Sequence, residues 1–216
     1  MRKLLLNNKQ FIITYLLLLA LGLVLKLIYT KEELFLAVNL NHSSFADVFF
    51  TLMTYVGDGI MFIAFSLILL FVEYRKAVLS AIVYLVSSQI AQILKRLVFA
   101  DYPRPKKYFE GIQELHFVDG VEVHNMMSFP SGHTTSAFAL AAVICLMLVN
   151  KNWSYLLLLM AAFIGYSRMY LAQHFFEDVL MGSLIGVFSA FLVQYILNTT
   201  TWYHSKKLNK SLLKRN

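Results

Sequence analysis

Two histidines, an aspartate and several basic residues fall in three short segments of this 216-residue chain, each at the edge of a long apolar run. The first segment runs from Lys95-Arg96 through Tyr102-Pro103-Arg104-Pro105. The second is Ser128-Phe-Pro-Ser-Gly-His133, and the third is Ser167-Arg168-x5-His174-x3-Asp178. Each piece suits a phosphate group. Pro130-Ser131-Gly132-His133 precedes a helix, whose first-turn N–H groups lack partners within the helix and can hold an anion. Gly132 lets the backbone approach such a ligand closely, and Arg104 and Arg168 offer forked donors that match phosphate oxygens. His174 and Asp178 are four residues apart, on one face of a helix start. An aspartate there accepts the proton-bearing ring nitrogen and leaves the other free as a nucleophile. His133, from a different segment, remains as the acid or base. No group of His, Cys or carboxylates has zinc or magnesium spacing, so no metal or cofactor is expected and the cations must come from the protein.

Basic residues at a membrane boundary also have a plainer reading, as positive anchors and snorkelling side chains. That reading covers Lys106 and Lys107. It does not account for two histidines and an aspartate joining two arginines at the same depth.

The rest of the chain is built to place those segments at one end of a lipid-solvated bundle. It is 59% hydrophobic and 14% charged, against about a quarter charged in soluble domains. The net charge of +7 sits in short clusters between apolar runs, which fits topology signals and phosphate contacts rather than nucleic-acid binding. The lone cysteine, Cys145, lies inside an apolar run as a small buried hydrophobe. The run Phe11 to Tyr29 is too long for a cleaved signal and is expected to stay as a membrane anchor. With no repeat and no long linker, residues 1–216 are expected to form one domain.

Apolar runs long enough to cross a bilayer fall at roughly 10–29, 50–72, 77–96, 134–150, 153–169 and 177–198. Thr30 to Phe49 mixes charged and polar residues with Leu and Phe, as an interfacial amphipathic helix does. The connection 97–133 holds all three prolines and the stretch LHFVDGVEVH at 115–124. Asp119-Gly120 there signals a hairpin with a type I′ turn, pairing Val118 with Val121 and Leu115 with His124. His116 and His124 would then lie on opposite faces, too far apart to share a metal. The expected fold is therefore an all-α integral membrane protein, a bundle of six transmembrane helices with an interfacial helix and a short β-hairpin in the 97–133 loop.

Six spans put both termini, the 73–76 turn and the turn at 151 on one side, with eleven Lys and Arg, Lys214 and Arg215 among them. The opposite side has seven. The positive-inside bias places the termini in the cytoplasm and the three segments outside it, at the periplasmic or extracellular face of the cell membrane. Within the spans, Gln89 and Gln92 read as interhelical polar contacts. Asp58 lies roughly 22 Å along the helix from Glu73, near the three segments. It reads equally as a functional acid or as a structural hydrogen-bonding group.

The three segments resemble the motifs of the type 2 phosphatidic acid phosphatase superfamily, which includes bacterial lipid phosphatases and the vanadium-dependent haloperoxidases. The third motif, Ser-Arg-x5-His-x3-Asp, matches in full at 167–178, and the second, Pro-Ser-Gly-His, at 130–133. The first departs from its pattern. The family has Lys, six residues and Arg-Pro, which would put the lysine at Leu97; here eight residues separate Lys95 from Arg104-Pro105. Two residues looped out near Asp101-Tyr102-Pro103 would leave Lys95 in the role, and Arg96 is the alternative. The resemblance implies His174 as nucleophile, Asp178 as its orienter and His133 as proton donor. It also implies Lys95, Arg104, Ser131, Gly132 and Arg168 as phosphate ligands. The implied activity is metal-independent hydrolysis of a lipid phosphate or diphosphate through a phosphohistidine. Undecaprenyl diphosphate and phosphatidylglycerol phosphate come first as substrates, then lipid A, with phosphatidic acid of the same class; the bilayer is the partner. Two other readings compete. A haloperoxidase-like use of the pocket fits poorly with six apolar spans. A lipid transporter or flippase would spread its polar residues through the bilayer depth, whereas here they gather at one end.

Overall fold

The structure, a computed structural model, describes residues 1–213. Lys214 and Arg215, two of the charges in the orientation count, lie outside the described residues. The elements are helices α1 (Arg2–Asn7), α2 (Lys9–Ile28), α3 (Lys31–Asn39), α4 (Ser44–Val56), α5 (Gly59–Leu69), α6 (Tyr74–Ile93), α7 (Pro105–Tyr108), α8 (Gly132–Met147), α9 (Trp153–Tyr170) and α10 (Phe176–Asn198). A π-helical turn, Leu94–Val98, continues α6.

Local sequence explains where these helices begin. Thr30 and Glu33 form a reciprocal capping box ahead of α3, which satisfies two otherwise orphaned N–H groups. Ser43 caps α4, Asp58 caps α5 and Ser131 caps α8 through side-chain oxygens. Pro105 stands in the first turn of α7, where its missing N–H costs nothing.

The centre of the bundle is α8, whose Ala137, Ala139, Ala141, Ala142 and Val143 are buried. It lies against α10 at Gly182 and Gly186, where the two backbones almost touch. A Cβ on Gly182 would come within 2.6 Å of the Ser131 carbonyl oxygen, and one on Gly186 within 2.5 Å of the Thr135 carbonyl oxygen. Small residues four apart permit this close approach, which lipid-solvated helices use for packing. The crossing brings the start of α8 to the start of α10, and the Ser131 N–H donates to the Asp178 carbonyl at 3.0 Å. A second cluster, built on Phe35, Phe109, Leu115, Ala172 and Phe175, fastens α3 and the 97–133 connection to the turn between α9 and α10.

The bundle departs from the expected fold in three places. Among the described residues, α2, the combined Tyr74–Val98 segment and α10 are long and apolar enough to cross a membrane. The expected second span is broken into α4 and α5, bent by 49°, and the pair counts as at most a fourth. Residue Asp58 causes the break, because its side chain caps a new helix there. At 16 residues α8 is shorter than a lipid-exposed span needs, and α9 carries Arg168 in its last turn. The stretch 30–49 forms two helices, α3 and the start of α4, rather than one. Finally, the described residues contain no β-strand. The turn at Asp119-Gly120 does form, with Gly120 at φ +79° and the Val121 N–H donating to the Val118 carbonyl at 3.2 Å. The flanking backbone is taken by other partners: Asn39 bonds both the N–H and the carbonyl of His116 at 2.9 Å. Likewise the Gln173 side chain donates to the Glu122 carbonyl at 2.6 Å. His116 meets Asp47 at 2.8 Å, while the exposed His124 lies 3.7 Å from Glu122.

Candidate active site

At the end of the bundle where α8 and α10 begin lies a cavity of about 840 Å³, lined among others by Lys95, Arg104, Gly132, His133, Arg168 and His174. The turn between α9 and α10 sets the position of His174. Its N–H, like that of Gln173, donates to the Arg168 carbonyl, and Phe175 beside it is clamped by Phe35, ring centroids 5.4 Å apart. The imidazole is buried, with Nδ1 3.3 Å from Asp178 Oδ2. That carboxylate oxygen also accepts the Phe175 N–H at 2.9 Å and the Ser128 hydroxyl at 2.5 Å. With Asp178 fixed by these contacts, Nδ1 is engaged and Nε2 is the remaining ring nitrogen. Burial, reinforced by Arg104, Lys95 and Arg168, holds the His174 imidazole well below its ordinary pKa of 6.5, which favours the neutral ring.

The cations reach the cavity by different routes. Lys95 is buried on the π-helical turn, while its neighbours Arg96 and Leu97 are exposed. A π-turn holds one residue more than an α-turn. The Tyr102 N–H closes a further turn on the Phe99 carbonyl at 3.2 Å. Arg104 is oriented by its Nε donating to the Met126 carbonyl at 3.0 Å and its Nη1 to Gln173 Oε1 at 2.8 Å. Arg168 Nη1 donates to the Thr54 hydroxyl. Its buried Nε has no partner among the described residues. A buried guanidinium with a donor to spare is costly unless an anion meets it.

Around this cavity the structure brings together His174, His133, Lys95, Arg104, Arg168 and Gly132, with Asp178 directly behind His174. Open space lies where a Gly132 side chain would be, and the Gly132 and His133 N–H groups belong to the first turn, which has no intrahelical acceptors. Ser131 does not line the cavity. Its hydroxyl is fully buried in the α8 cap, accepting from the Thr134 hydroxyl at 2.9 Å, and its N–H is used by Asp178. Sequence reasoning gave no role to three residues that hold the others in place: Ser128, Thr54 and Gln173. Ser128 lies inside the second segment and could have been found there. Thr54 and Gln173 carry no local signal, because their partners become neighbours only in the folded chain.

Comparison with known proteins places this geometry in a family context. Residues 76–202 match the family described as the PAP2 superfamily, a stretch that contains all three segments. The chain is 27% identical over 183 residues to the lipid A 4'-phosphatase of Porphyromonas gingivalis, covering 80% of this chain and 75% of that one. It is 26% identical over 195 residues to the undecaprenyl-diphosphatase of Sulfolobus acidocaldarius, covering 87% and 91%. A lipid A 4'-phosphatase of Bacteroides thetaiotaomicron is 29% identical over 99 residues, and the chain spans only 44% of that relative. Among solved structures, Aquifex aeolicus LpxE superposes with a TM-score of 0.67 at 28% identity, over 76% of this chain and 93% of that one.

Proposed function

The chain belongs to the PAP2 superfamily, and from that premise we propose that it hydrolyses a lipid phosphate or diphosphate through a phosphohistidine on His174, with no metal ion taking part. It is a membrane protein and a phosphate-ester hydrolase. The observation that carries the mechanism is the buried His174–Asp178 pair at 3.3 Å, facing a cavity into which Lys95, Arg104 and Arg168 converge.

In the proposed reaction His174 Nε2 attacks phosphorus in line. The three cations and the first-turn N–H groups of α8 meet the charge on the equatorial oxygens. The bond from phosphorus to the leaving oxygen breaks as His133 delivers its proton there. Water then attacks the phosphohistidine, giving up a proton to His133, and inorganic phosphate departs with His174 neutral again. Asp178 holds the ring in place and stabilises the cationic form that exists only in between. Ser131 contributes by fixing the α8 cap.

Apolar helices long enough to cross a membrane, together with a cation-lined cavity, support a lipid phosphate as the substrate class. Named relatives act on lipid A and on undecaprenyl diphosphate, which share a phosphate at the headgroup plane; phosphatidylglycerol phosphate and phosphatidic acid belong to the same class. We read the 18-residue α9, the bent α4–α5 pair and the short α8 as further spans beside α2, α6 and α10. This gives six crossings in the cell membrane, cytoplasmic termini and an outward-facing site on a single domain. Phosphate release by the purified protein in detergent, measured across these lipids with and without excess EDTA, tests the reading. Hydrolysis of at least one lipid undiminished by EDTA is expected. An enzyme silenced by EDTA and rescued by magnesium overturns the mechanism.

A further inference from the structure

The break between α4 and α5 is a part of the cavity wall to which the motifs assign nothing, yet it is tightly built. A Cβ on Gly57 would come within 2.3 Å of Ile164 and 3.3 Å of the His133 carbonyl oxygen, and one on Gly59 within 2.5 Å of the Tyr84 hydroxyl oxygen. These contacts seat the break against α9, α8 and α6. Between the two glycines, Asp58 is held by Oδ1 accepting the Ile60 N–H at 3.0 Å. Its other oxygen, Oδ2, then lies 3.9 Å from His133 Nε2. That separation is ion-pair rather than hydrogen-bond range. Asp58 also lies within electrostatic reach of Arg168.

We propose that Asp58 is the positioning residue of His133, forming with it a second carboxylate–imidazole pair across the cavity from Asp178 and His174. The proposal rests on the reading of His133 as proton donor. His133 faces three cations, Arg168, Lys95 and Arg104, and Asp58 is the anion that faces it. A donor must carry its proton while surrounded by that positive charge, and a fixed carboxylate nearby favours the protonated ring. The proton passes from His133 to the leaving oxygen and is restored to His133 from the attacking water, so Asp58 acts only through the ring it faces. The α4–α5 break thus has a job in the chemistry. It ends one helix where a carboxylate is wanted and starts another that locks it there.

The test compares hydrolysis of a short-chain alkyl phosphate with that of p-nitrophenyl phosphate, whose leaving group departs without a proton. Asp58→Asn keeps a capping side chain and should lose roughly 10–100-fold in kcat/KM, which reads phosphoryl transfer and not the later hydrolysis common to both substrates, on the alkyl phosphate, with a far smaller loss on the aryl phosphate. Placed on top of His133→Ala, it should cost nothing further, as expected of a residue that acts through another. Asp58→Glu should recover part of the alkyl activity. Asp58→Ser, which caps α5 without a carboxylate, should behave as Asp58→Asn if capping alone is not the role. Equal loss on both substrates, or a loss that adds in full to that of His133→Ala, overturns the proposal while leaving His133 as the donor. If His133→Ala itself loses equal kcat/KM on both substrates, the donor reading falls and the Asp58 proposal with it.

Discussion

A buried histidine whose neutral form is favoured beside three cationic side chains is an electrostatic result, and it has a consequence for stability. Burial, with Arg104, Lys95 and Arg168 adding to it, holds the His174 pKa well below 6.5. The unfolded chain therefore takes up this proton near pH 6.5, whereas the folded one does so only at much lower pH. The contribution is fully present above about pH 6.5 and is lost as the pH falls, by at most about 1.4 kcal/mol per pH unit from this group. Between about pH 7.5 and 5.5 the wild-type protein in detergent should lose more thermal stability than His174→Gln, which has no such proton to take up. Parallel curves would mean that His174 is not held neutral. At this scale the sequence was a good guide wherever a motif fixes residue type and spacing together, and His133, Arg104, Arg168, His174 and Asp178 all meet at one place. It was a poor guide to the residues behind them. Thr54 and Arg168 are 114 positions apart in the chain, and no local pattern pairs them. Lys95 and Arg96 both line the cavity, and what separates them is burial: Lys95 is buried on the π-turn and Arg96 is exposed.

The α8–α10 crossing is the element on which the site depends, because it sets the start of α8 against the turn that carries His174. At Gly182 and Gly186 an added Cβ would strike backbone atoms, which cannot move aside as a flexible side chain can. Gly186→Ala should destabilise the bundle by about 1–3 kcal/mol, the usual cost of overpacking. Gly182→Ala, next to Ser131, should in addition displace the α8 cap and lower kcat at least tenfold in protein that still folds. Thermal melts and steady-state kinetics check the pair, and full activity in Gly182→Ala would show that the close crossing does not position the site. Helix positions were legible in the sequence, since apolar runs and capping residues are local signals. Their continuity was not: the run at 50–72 reads as one span, and only the Asp58 cap and the flanking glycine contacts reveal a 49° bend. The hairpin failed for a related reason. Asp119-Gly120 specifies a turn, but a ladder also needs free backbone groups, and Asn39 and Gln173 had already engaged them.

For the molecule as a whole, composition pointed to the membrane class and the three motif segments meet at one end of the bundle; orientation is a matter for labelling. Gln113 lies exposed in the connection between the first and second segments, and the native Cys145 is buried. A cysteine at Gln113 should react with an impermeant thiol reagent on intact or outer-membrane-permeabilised cells; labelling only after the inner membrane is broken would reverse the topology. The central claim is that phosphate passes through a covalent bond to His174, and quenched turnover with a radiolabelled lipid phosphate tests it most directly. Wild-type protein should yield an acid-labile phosphoenzyme, which His174→Ala abolishes along with turnover, a loss on the order of 10⁴-fold or more. His133→Ala should still form the adduct and accumulate it where water activation becomes slow. Phosphate trapped on His133, or a phosphoenzyme that survives in His174→Ala, would contradict the account.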